Sequence, residues 1–494
     1  MKIFRKTHST YWAAVASIAI AGCAAGPDFK KPAAPSVSGY TTSQPATMPS
    51  TTNVANGGET QQFVPGRDIS GQWWELFHSK PLNDLIERSL RANPNLKSAQ
   101  AALVVAREIV LSQKGAYYPS ATASLSAARQ QTSKSIAPFP NSNSFTFNLF
   151  TPQLSVSYVP DVFGLNRRTV ESLQAQSEQA RYALAATNIT LSSNVVAAAL
   201  QEASLREQIA ATRELIKINT DELQILRDQF GKGYVGRLDV AAQESQLAQV
   251  QATLPPLLQQ LDVQRHLLAA LAGEFPSQGP AEEFKLATLQ LPQELPLTVP
   301  ACLVEQRPDV LQAEENAHAA SAQIGIAVAN RLPNIPLSAD VGTMALSAGQ
   351  MFANGNVFWT LAGSAAEPIF DGGILLHKER AAKAAFIEAE EQYRSTVQAA
   401  FQNVADTLTA LEHDADAVKT AAAAKDAAAV TLDLTEQQVK SGYADYLQLL
   451  SAEQGYQQAV ITLIQARANR YADTAALFQA LGGGWWNRID VPKY

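Results

Sequence analysis

A glycine-rich segment is the first candidate for a chemical site in this chain. Gly231, Gly233 and Gly236 have the spacing G-x-G-x-x-G, which in a dinucleotide-binding fold presents a pyrophosphate to the start of a helix. Such a fold requires a strand before the motif, whereas a long helical pattern precedes it here. The spacing therefore predicts a turn between two helices rather than a nucleotide site.

Residues that could catalyse a reaction do not converge in the sequence. Arg307 and Asp309 resemble a charged active-site pair, but Asp309 falls at a helix start, where a carboxylate offsets the helix dipole. The sequence contains no H-E-x-x-H zinc pattern and no G-x-S-x-G nucleophile turn. We therefore predict that the protein is not an enzyme and binds neither a cofactor nor a metal ion. The histidines are scattered, at His8, His78, His266, His318, His377 and His413.

The composition excludes a further class of function. The net charge is -7 and only 17% of the residues are charged, so the chain lacks the concentrated basic face that binds nucleic acid. At 494 residues it exceeds the usual size of a single compact core. Long stretches of Ala, Gln, Leu and Ser suit helices packed closely side by side. We therefore expect a long or repeated architecture.

The N-terminus has the features of a signal peptide. Lys2, Arg5 and Lys6 precede an apolar run over residues 11–21, which is too short to span a bilayer as a mature helix. The run ends in Ile-Ala-Gly followed by Cys23, which resembles the lipobox of bacterial lipoproteins. In a lipobox the cysteine thiol accepts diacylglycerol and the cysteine becomes the mature N-terminus. We predict that residues 1–22 are a lipoprotein signal peptide.

Lipidation of Cys23 has consequences for the rest of the chain, although a signal peptide with a chance cysteine is the alternative. Ala24 replaces the Asp that favours inner-membrane retention of such lipoproteins, so we expect sorting to the outer membrane. Cys302 is then left without a disulfide partner, and we expect it to be buried as a small apolar residue. Residues 23–70 are rich in Pro, Ser and Thr and are predicted to form an extended tether.

The body of the chain contains two copies of one unit. Pro94 recurs as Pro308, 214 residues later, and Gly233 recurs as Gly442, 209 residues later. Such a period excludes ordinary solenoids, whose repeats are far shorter. We assign the first repeat to residues 71–290, the second to 291–484 and a C-terminal tail to 485–494. Two further pairs keep these offsets, Pro119 with Pro333 and Glu244 with Glu453.

Each copy is predicted to contain a helix, two strands and a pair of long helices. Helices open at Pro94 and Pro308, since proline is tolerated in a first turn. Two segments in each copy alternate apolar and polar residues, which predicts strands with one face of each kind. After Gly164 a helical pattern continues for about 65 residues, or about 100 Å. We expect Pro255-Pro256 to break or kink the partner helix. The alternating apolar residues are Ala121, Ala123 and Leu125; Leu154, Val156 and Tyr158; Leu337, Ala339 and Val341; and Trp359 and Leu361.

The four strands predicted in one chain leave open how the edges of their sheet are paired. An open sheet leaves unpaired edges, and lipid forbids open edges because each unsatisfied backbone group costs several kcal/mol. The smallest transmembrane barrels have about eight strands, so strands in lipid would have to be shared between chains. Two chains would supply eight strands and three would supply twelve. A soluble helical bundle with a small β-cap is the alternative.

An ordered set of short motifs adds a family resemblance over nearly the whole mature chain. The motifs are Cys23 with Gly26-Pro27-Asp28-Phe29; Trp73-Trp74 with Phe77; Asn93-Pro94-Asn95-Leu96; Tyr158 with Asp161-Val162-Phe163-Gly164; Arg307-Pro308-Asp309; Ile324-Gly325; Pro368-Ile369-Phe370-Asp371-Gly372-Gly373; and Ala480-Leu481-Gly482-Gly483-Gly484-Trp485. With them the chain resembles the TolC-like outer-membrane efflux proteins, in the NodT-type lipoprotein branch that serves RND-type drug pumps. The resemblance implies a mainly α fold with a small transmembrane β part. It also implies a homotrimer with a shared 12-stranded barrel and an α-helical periplasmic tunnel.

The resemblance also implies partners and sites. A periplasmic adaptor and an inner-membrane RND-type transporter would deliver drugs or other toxic small molecules to a channel that is itself passive. The two helical turns would be the tips that dock the adaptor, with the gate near them. The implied docking residues are Gly233, Tyr234, Val235, Leu238, Gly442, Tyr443 and Leu447, and the implied gate residues are Asp433, Leu434, Glu436 and Asp445.

Two alternatives to an efflux channel stay open at this point. One is the exit duct of a type I protein secretion system, which has the same fold and a different cargo. The other is a periplasmic coiled-coil scaffold that conducts nothing. The lipobox and the Gly-Gly-Gly-Trp sequence that ends at Trp485 favour the efflux channel. The cargo does not follow from the sequence, because a wide duct contacts its cargo weakly.

Overall fold

A computed structural model describes residues 25–488 except 38, 42–46, 49, 52–53, 55, 134–145 and 280–281. The predicted signal peptide, residues 1–22, and the predicted lipidation site Cys23 lie outside the described residues. Much of the C-terminal tail, residues 489–494, lies outside them as well.

The helices repeat in length as well as in order. In the first half they are α1 Lys80–Ala92, α2 Pro94–Lys114, α3 Leu165–Gly231 and α4 Arg237–Leu271; in the second they are α5 Pro300–Gln306, α6 Pro308–Ala329, α7 Ile374–Lys440 and α8 Tyr446–Ala480. Helices α3 and α7 both have 67 residues, and α4 and α8 both have 35. At 1.5 Å per residue, α3 and α7 are each about 100 Å long. The predicted duplication and the predicted helix starts at Pro94 and Pro308 are confirmed.

Helix α4 corrects one expectation. Pro255 and Pro256 lie inside it, and the helix continues through them to Leu271. Of the predicted break or kink, the break does not occur, because the helix is continuous. Both prolines are exposed, as are Gln251 and Ala252, whose carbonyl groups lose their helical partners. Water can satisfy those carbonyl groups at the surface, which makes a proline pair tolerable within the helix.

The starts of the two longest helices explain two of the sequence motifs. Asp161 accepts hydrogen bonds from the backbone N–H groups of Asn166 and Arg167, both at 2.8 Å. Asp371 accepts them from Gly373 and Leu375, also at 2.8 Å. These bonds satisfy donors that an isolated helix end leaves free. The aspartates of both motifs therefore fix where α3 and α7 begin.

The chain divides into two compact units, and each takes segments from both halves. The first unit contains residues 25–32, Leu103–Ala180 and Ala313–Tyr393, and the second contains the described residues of 33–102, 181–312 and 394–488. The strands are β1 Thr47–Met48, β2 Gln61–Pro65, β3 Ser120–Gln131, β4 Thr146–Tyr158, β5 Glu294–Leu297, β6 Leu337–Thr343 and β7 Val357–Gly363. The first unit holds an antiparallel sheet of order β3-β4-β6-β7, as the alternation predicts, and the second holds the sheet β1-β2-β5.

Part of the predicted tether belongs to the second unit's core. Strand β2 pairs in parallel with β5, and Met48 and Ile69 are buried. The fully buried Arg470 donates hydrogen bonds to the carbonyl oxygens of Gly57 (2.9 Å) and Glu59 (2.7 Å). The prediction of an extended tether is therefore wrong for these residues. A chain without apolar periodicity can still be held by backbone hydrogen bonds to side chains distant in sequence.

Side chains at equivalent positions of the two repeats donate hydrogen bonds to the last carbonyl groups of helices α4 and α8. Asn93 donates from Nδ2 to the carbonyl oxygen of Leu271, the last residue of α4, at 3.0 Å. Arg307 donates from Nη1 to the carbonyl oxygen of Ala480, the last residue of α8, at 2.9 Å, and it also pairs with Asp309 at 2.6 Å. Asp309 does lie in the first turn of α6. The pair is thus structural.

Cys302 is exposed. The prediction that it is buried is therefore wrong. It lies in the short helix α5, whose inward positions are taken by Leu303 and Val304.

Candidate functional site

The four-stranded sheet has one apolar face. Direct partners in an antiparallel pair lie on the same face, and the register places Leu154 between Ala123 and Val341. Val341 in turn faces Trp359 on β7. The Trp359 side chain is 76% exposed. None of the described residues covers this apolar face, and an exposed face of this kind is typical of a contact with another protein or with a membrane.

The opposite face of the same sheet is polar. Ser124 pairs with Gln153, and Ser155 pairs with Asp340. The Asp340 carboxylate accepts hydrogen bonds from Ser155 Oγ (2.6 Å) and Gln153 Nε2 (2.8 Å). Phe358 interrupts this face. The sheet thus separates an apolar from a wettable side, as strands do around a water-filled lumen.

Both outer strands of this sheet have a free edge within the described residues. Strand β3 pairs with β4 alone, and β7 pairs with β6 alone. Strand β3 has 12 residues, so its outer edge offers a row of backbone N–H and C=O groups to a further strand. In lipid such groups must be paired with another strand.

The two helical turns share one backbone geometry. Gly233 and Gly442 have φ angles of +80° and +75°, which residues with a Cβ rarely adopt. The N–H groups of Tyr234 and Tyr443 donate to the carbonyl oxygens of Gln229 and Gln438, both at 2.9 Å. These are the closing bonds of a helix that ends in a left-handed glycine. The interpretation of G-x-G-x-x-G as a turn between helices is confirmed.

Apolar side chains project into solvent at both turns. Tyr234 is 78% exposed and Tyr443 is 87% exposed, and Leu238 and Leu447 are exposed beside them. Val235 is an exception, because it packs against the buried cluster of Leu223, Leu226 and Val240, together with Leu247 and Tyr446. The turns therefore present aromatic and aliphatic surface on a packed support.

The acidic residues predicted for the gate have local partners. Asp433 accepts a hydrogen bond from Gln437 Nε2 at 2.9 Å, and Glu436 accepts one from Lys440 at 3.3 Å. Asp445 caps α8, accepting from the N–H of Gln448 at 2.8 Å. These contacts give Asp445 a structural role. Asp433 and the apolar Leu434 are exposed.

Two acids behind the turns, the half-buried Glu222 on α3 and the buried Glu453 on α8, were missed by sequence reasoning. The charge of Glu222 contributes to the raised pKa of Glu453. Burial, with the neighbouring charges of Glu222 and Glu436, raises the pKa of Glu453 to about 8. Burial also raises the pKa of Glu222. Comparing the repeats position by position would have marked this site, because Arg227 of the first repeat is Glu436 in the second.

A second missed feature is a clamp on the segment that follows Cys23. The buried Arg168 donates to the carbonyl oxygens of Ala25 (3.0 Å) and Gly26 (3.3 Å) and pairs with Asp28 (2.8 Å). A Cβ on Gly26 would lie 2.4 Å from the Cα of Gly325, so both glycines are required for the close approach. The motifs around Gly26 and Gly325 thus meet in the first unit.

Two long helical hairpins, joined to a four-stranded sheet with one apolar and one polar face, define a TolC-like outer-membrane channel. The family model described as "Outer membrane efflux protein" matches residues 85–274 and 300–483, one range in each repeat. The chain belongs to the outer membrane efflux protein family. It is therefore an outer-membrane channel of an efflux pump, and its family is one of export channels rather than enzymes.

Curated relatives match over most of their length. The toluene efflux pump outer membrane protein TtgC of Pseudomonas putida is 28% identical over 98% of this chain and 97% of its own. The pyoverdine export outer membrane protein OpmQ of Pseudomonas putida is 27% identical over 84% of this chain and 88% of its own. Among solved structures, the outer membrane protein VceC of Vibrio cholerae is 25% identical, with a TM-score of 0.78 over 84% of this chain and all of that chain.

Proposed function

We propose that three copies of this chain close a 12-stranded barrel and form the passive exit channel of a tripartite efflux system. The observation that carries the proposal is the sheet of the first unit. Within the part of the chain that the structure describes, it has an uncovered apolar face, a polar face and a free edge on both β3 and β7. Pairing β3 of one copy with β7 of the next satisfies both edges at once.

The number three is the one that the family resemblance implies, and the lumen excludes two. An eight-stranded barrel is only wide enough for its own side chains to fill, so two copies would make a barrel that does not conduct. Twelve strands leave an open lumen lined by the polar face with Asp340. The names of the curated relatives, which refer to a toluene efflux pump and to pyoverdine export, support small molecules as cargo.

Edge-to-edge disulfide formation tests this closure. Cysteines are placed singly along β3 and β7 and combined in pairs, with Cys302→Ser to remove the native exposed thiol. We expect oxidation to give a covalent ladder that ends at the trimer. Cysteines at Gln153 and Asp340, on the inner strands, are the matched control and should give no ladder. A ladder that ends at the dimer, or none at any register, would overturn the proposal.

At the periplasmic end, the proposal assigns adaptor docking to the two turns. Gly233 and Gly442 set the turns, and Tyr234, Leu238, Tyr443 and Leu447 supply the exposed apolar contacts, with Val235 as support. An inner-membrane RND-type transporter behind the adaptor supplies the energy. Tyr234→Ala with Tyr443→Ala should lower adaptor binding at least tenfold, since aromatic anchors dominate such contacts. Unchanged binding would remove the turns from the docking site.

Near the turns the proposal places the resting gate at Asp433, Leu434, Glu436 and Asp445. Replacing Asp433 with Ala should raise the closed-state conductance if its charge narrows the pore. Asp445→Asn is the matched variant for the second acid, because asparagine keeps the helix cap while removing the charge. Closed-state conductance unchanged in both variants would exclude these acids from the gate.

At the membrane end the proposal makes Cys23 the lipid-bearing mature N-terminus, following a signal peptide of residues 1–22. Mass spectrometry of the N-terminal peptide should show a diacylglyceryl-modified cysteine, and Cys23→Ser should abolish the modification. An unmodified peptide that begins elsewhere would refute it. The same scheme takes residues 71–290 and 291–484 as the two repeats, with a tail from 485.

A further inference from the structure

A cavity lies in the first unit where the four-stranded sheet meets the helices. Its volume of about 490 Å³ is within the range of about 300–1,000 Å³ that is typical of ligand sites. Its walls come from the end of α2, the connection from β4 to α3 and the connection from α6 to β6. Since β4 ends at Tyr158 and β6 begins at Leu337, the cavity lies at the level where the proposed membrane span ends.

Much of the wall of this junction cavity is apolar. Two polar side chains that line it are already paired: Gln113 Nε2 donates to Asn166 Oδ1 at 2.6 Å, and Asp161 accepts the two backbone hydrogen bonds at the start of α3. An apolar occupant would remove the wall from water, which is favourable. The larger apolar residues of the wall are Val159, Val162, Phe163, Leu165, Leu332 and Ile335.

One polar atom of the wall is left over. Asn166 Nδ2 is buried and has no hydrogen-bond partner among the described residues. The Thr169 hydroxyl beside it donates to the carbonyl oxygen of Leu165 at 2.8 Å, so it does not fill this role. An unpaired buried donor is unfavourable. The wall therefore suits a long apolar group that carries an acceptor oxygen, as a fatty acyl ester does.

The described part of the chain begins beside this cavity. The N–H group of Ala25 donates to the carbonyl oxygen of Phe163 at 3.1 Å, and Phe163 lines the cavity. Cys23 is two residues before Ala25 in the sequence, and two residues of extended chain span at most about 7 Å. A lipid on Cys23 is therefore attached within reach of the cavity.

The clamp on residues 25–28 keeps this attachment point in place. Arg168 holds the backbone of Ala25 and Gly26 and the side chain of Asp28, and Gly26 packs against Gly325. An anchor that only retains a protein at a membrane works through a flexible tether. A segment fixed by this many contacts instead directs the lipid to one place on the protein.

We propose that the junction cavity binds an acyl chain of the lipid on Cys23, with Asn166 Nδ2 donating a hydrogen bond to an ester carbonyl oxygen of that lipid. Arg168 is a positioning residue, because it holds the lipidated end of the chain beside the cavity. The bound chain becomes part of the junction between sheet and helices. The inference rests on the proposed lipidation of Cys23.

Photo-crosslinking through the lipid itself tests the site. Cells that produce the full-length channel are supplied with a diazirine fatty acid, which enters both lipoproteins and phospholipids, and their outer membranes are irradiated. Mass spectrometry of the digested channel separates a Cys23 peptide joined through its acyl chain to another peptide from a phospholipid joined to a peptide. We expect the Cys23 product, on peptides that contain residues 159–169 or 329–335.

Variants in the cavity and in the clamp decide the interpretation. Ala116 lines the cavity and is exposed, so Ala116→Trp should fill the cavity and reduce the Cys23 product to background. Ala116→Ser, the matched control, should leave it unchanged. Asn166→Asp keeps the acceptor for Gln113, removes the donor and should lower the yield about threefold or more. Arg168→Ala should also lower the yield while the Cys23 peptide stays lipidated.

Several outcomes would overturn the site. One is a lipidated Cys23 peptide that crosslinks only to peptides of the strands, and another is a cavity that crosslinks only to phospholipid. A yield that is unchanged in Ala116→Trp would count equally against it. An unlipidated Cys23 peptide would refute the proposed lipidation together with the site. If the Cys23 product forms as expected but the same channel does not conduct in planar bilayers, the lipid site stands and the proposed channel function fails.

Discussion

Neighbouring residues of strand β4 allow the orientation of the sheet to be tested with a single matched pair. Leu154 points to the apolar face and Gln153 to the polar face. Leu154→Lys would place an ammonium group in lipid, whereas Gln153→Lys would place it in the lumen. There it would lie within reach of Asp340, because Gln153 Nε2 already lies 2.8 Å from Asp340 Oδ1.

The magnitude follows from the depth of the residue. Leu154 is close to the middle of the 13-residue strand, where a lysine on the lipid face of a barrel costs about 2–4 kcal/mol. Losing the leucine side chain adds about 1–2 kcal/mol. The total of about 3–6 kcal/mol per chain is a large part of the stability of an ordinary protein, about 5–15 kcal/mol. Gln153→Lys should change stability by less than about 1 kcal/mol.

Semi-native electrophoresis of outer-membrane fractions provides the assay. We expect Gln153→Lys to assemble as the wild type does and Leu154→Lys to yield little heat-modifiable oligomer. Assembly of Leu154→Lys together with failure of Gln153→Lys would refute the assignment of the two faces. Equal assembly of both variants would refute the placement of the sheet in lipid.

Three further predictions concern stability. Arg307→Ala leaves the end of α8 and the half-exposed Asp309 without their partner and should lower the free energy of unfolding by about 2–4 kcal/mol. Asn93→Ala should lower it by only about 1–2 kcal/mol. Equal shifts of the urea midpoint in the two variants would contradict this. Burial beside Asp473 raises the pKa of Asp414 to about 7, so the stability that the protonated Asp414 contributes is lost as pH rises through 7. From pH 6 to 8 the Tm of Asp414→Asn should therefore fall less than that of the wild type. Identical falls in the two proteins would contradict this. Arg168→Ala should speed tryptic cleavage at the lysines after the clamped segment by about tenfold or more, and an unchanged rate would contradict the clamp.

Local sequence patterns were sufficient to predict the helices, strands and turns. Proline at a helix start, glycine at a helix end and alternation of apolar residues each act through neighbours in the sequence. For that reason Pro94, Gly233 and the strand around Leu154 were placed correctly. Duplication of the unit made the signals stronger, because each was seen twice.

The errors have a common physical cause. The exposure of Cys302 depends on which face of α5 packs inward, and seven residues are too few for periodicity to decide this. Residues 57–61 are held by Arg470, more than 400 positions away. Glu222 and Glu453, each of which affects the pKa of the other, likewise lie in distant segments. Contacts of this range are set by tertiary packing and leave no local pattern.

The candidate site was predicted unevenly for the same reason. Exposure of Tyr234 and Tyr443 follows from their place in turns, so the sequence was a good guide there. The resemblance implies Asp445 as a gate residue, but its role as the cap of α8 has a signal in the sequence, because Gln448 three positions later completes a capping box. The contacts of Arg168 could not be predicted without knowing where residues 25–28 pack in the folded chain.

Single-channel conductance measured on the purified, lipid-bearing oligomer in planar bilayers tests the central claim most directly. Three copies that enclose a 12-stranded barrel should insert as one unit, give a single closed level at rest and show a larger conductance when the gate residues near the turns are altered. An oligomer that inserts without conducting in either form, or a soluble monomer that does not insert, would contradict the account.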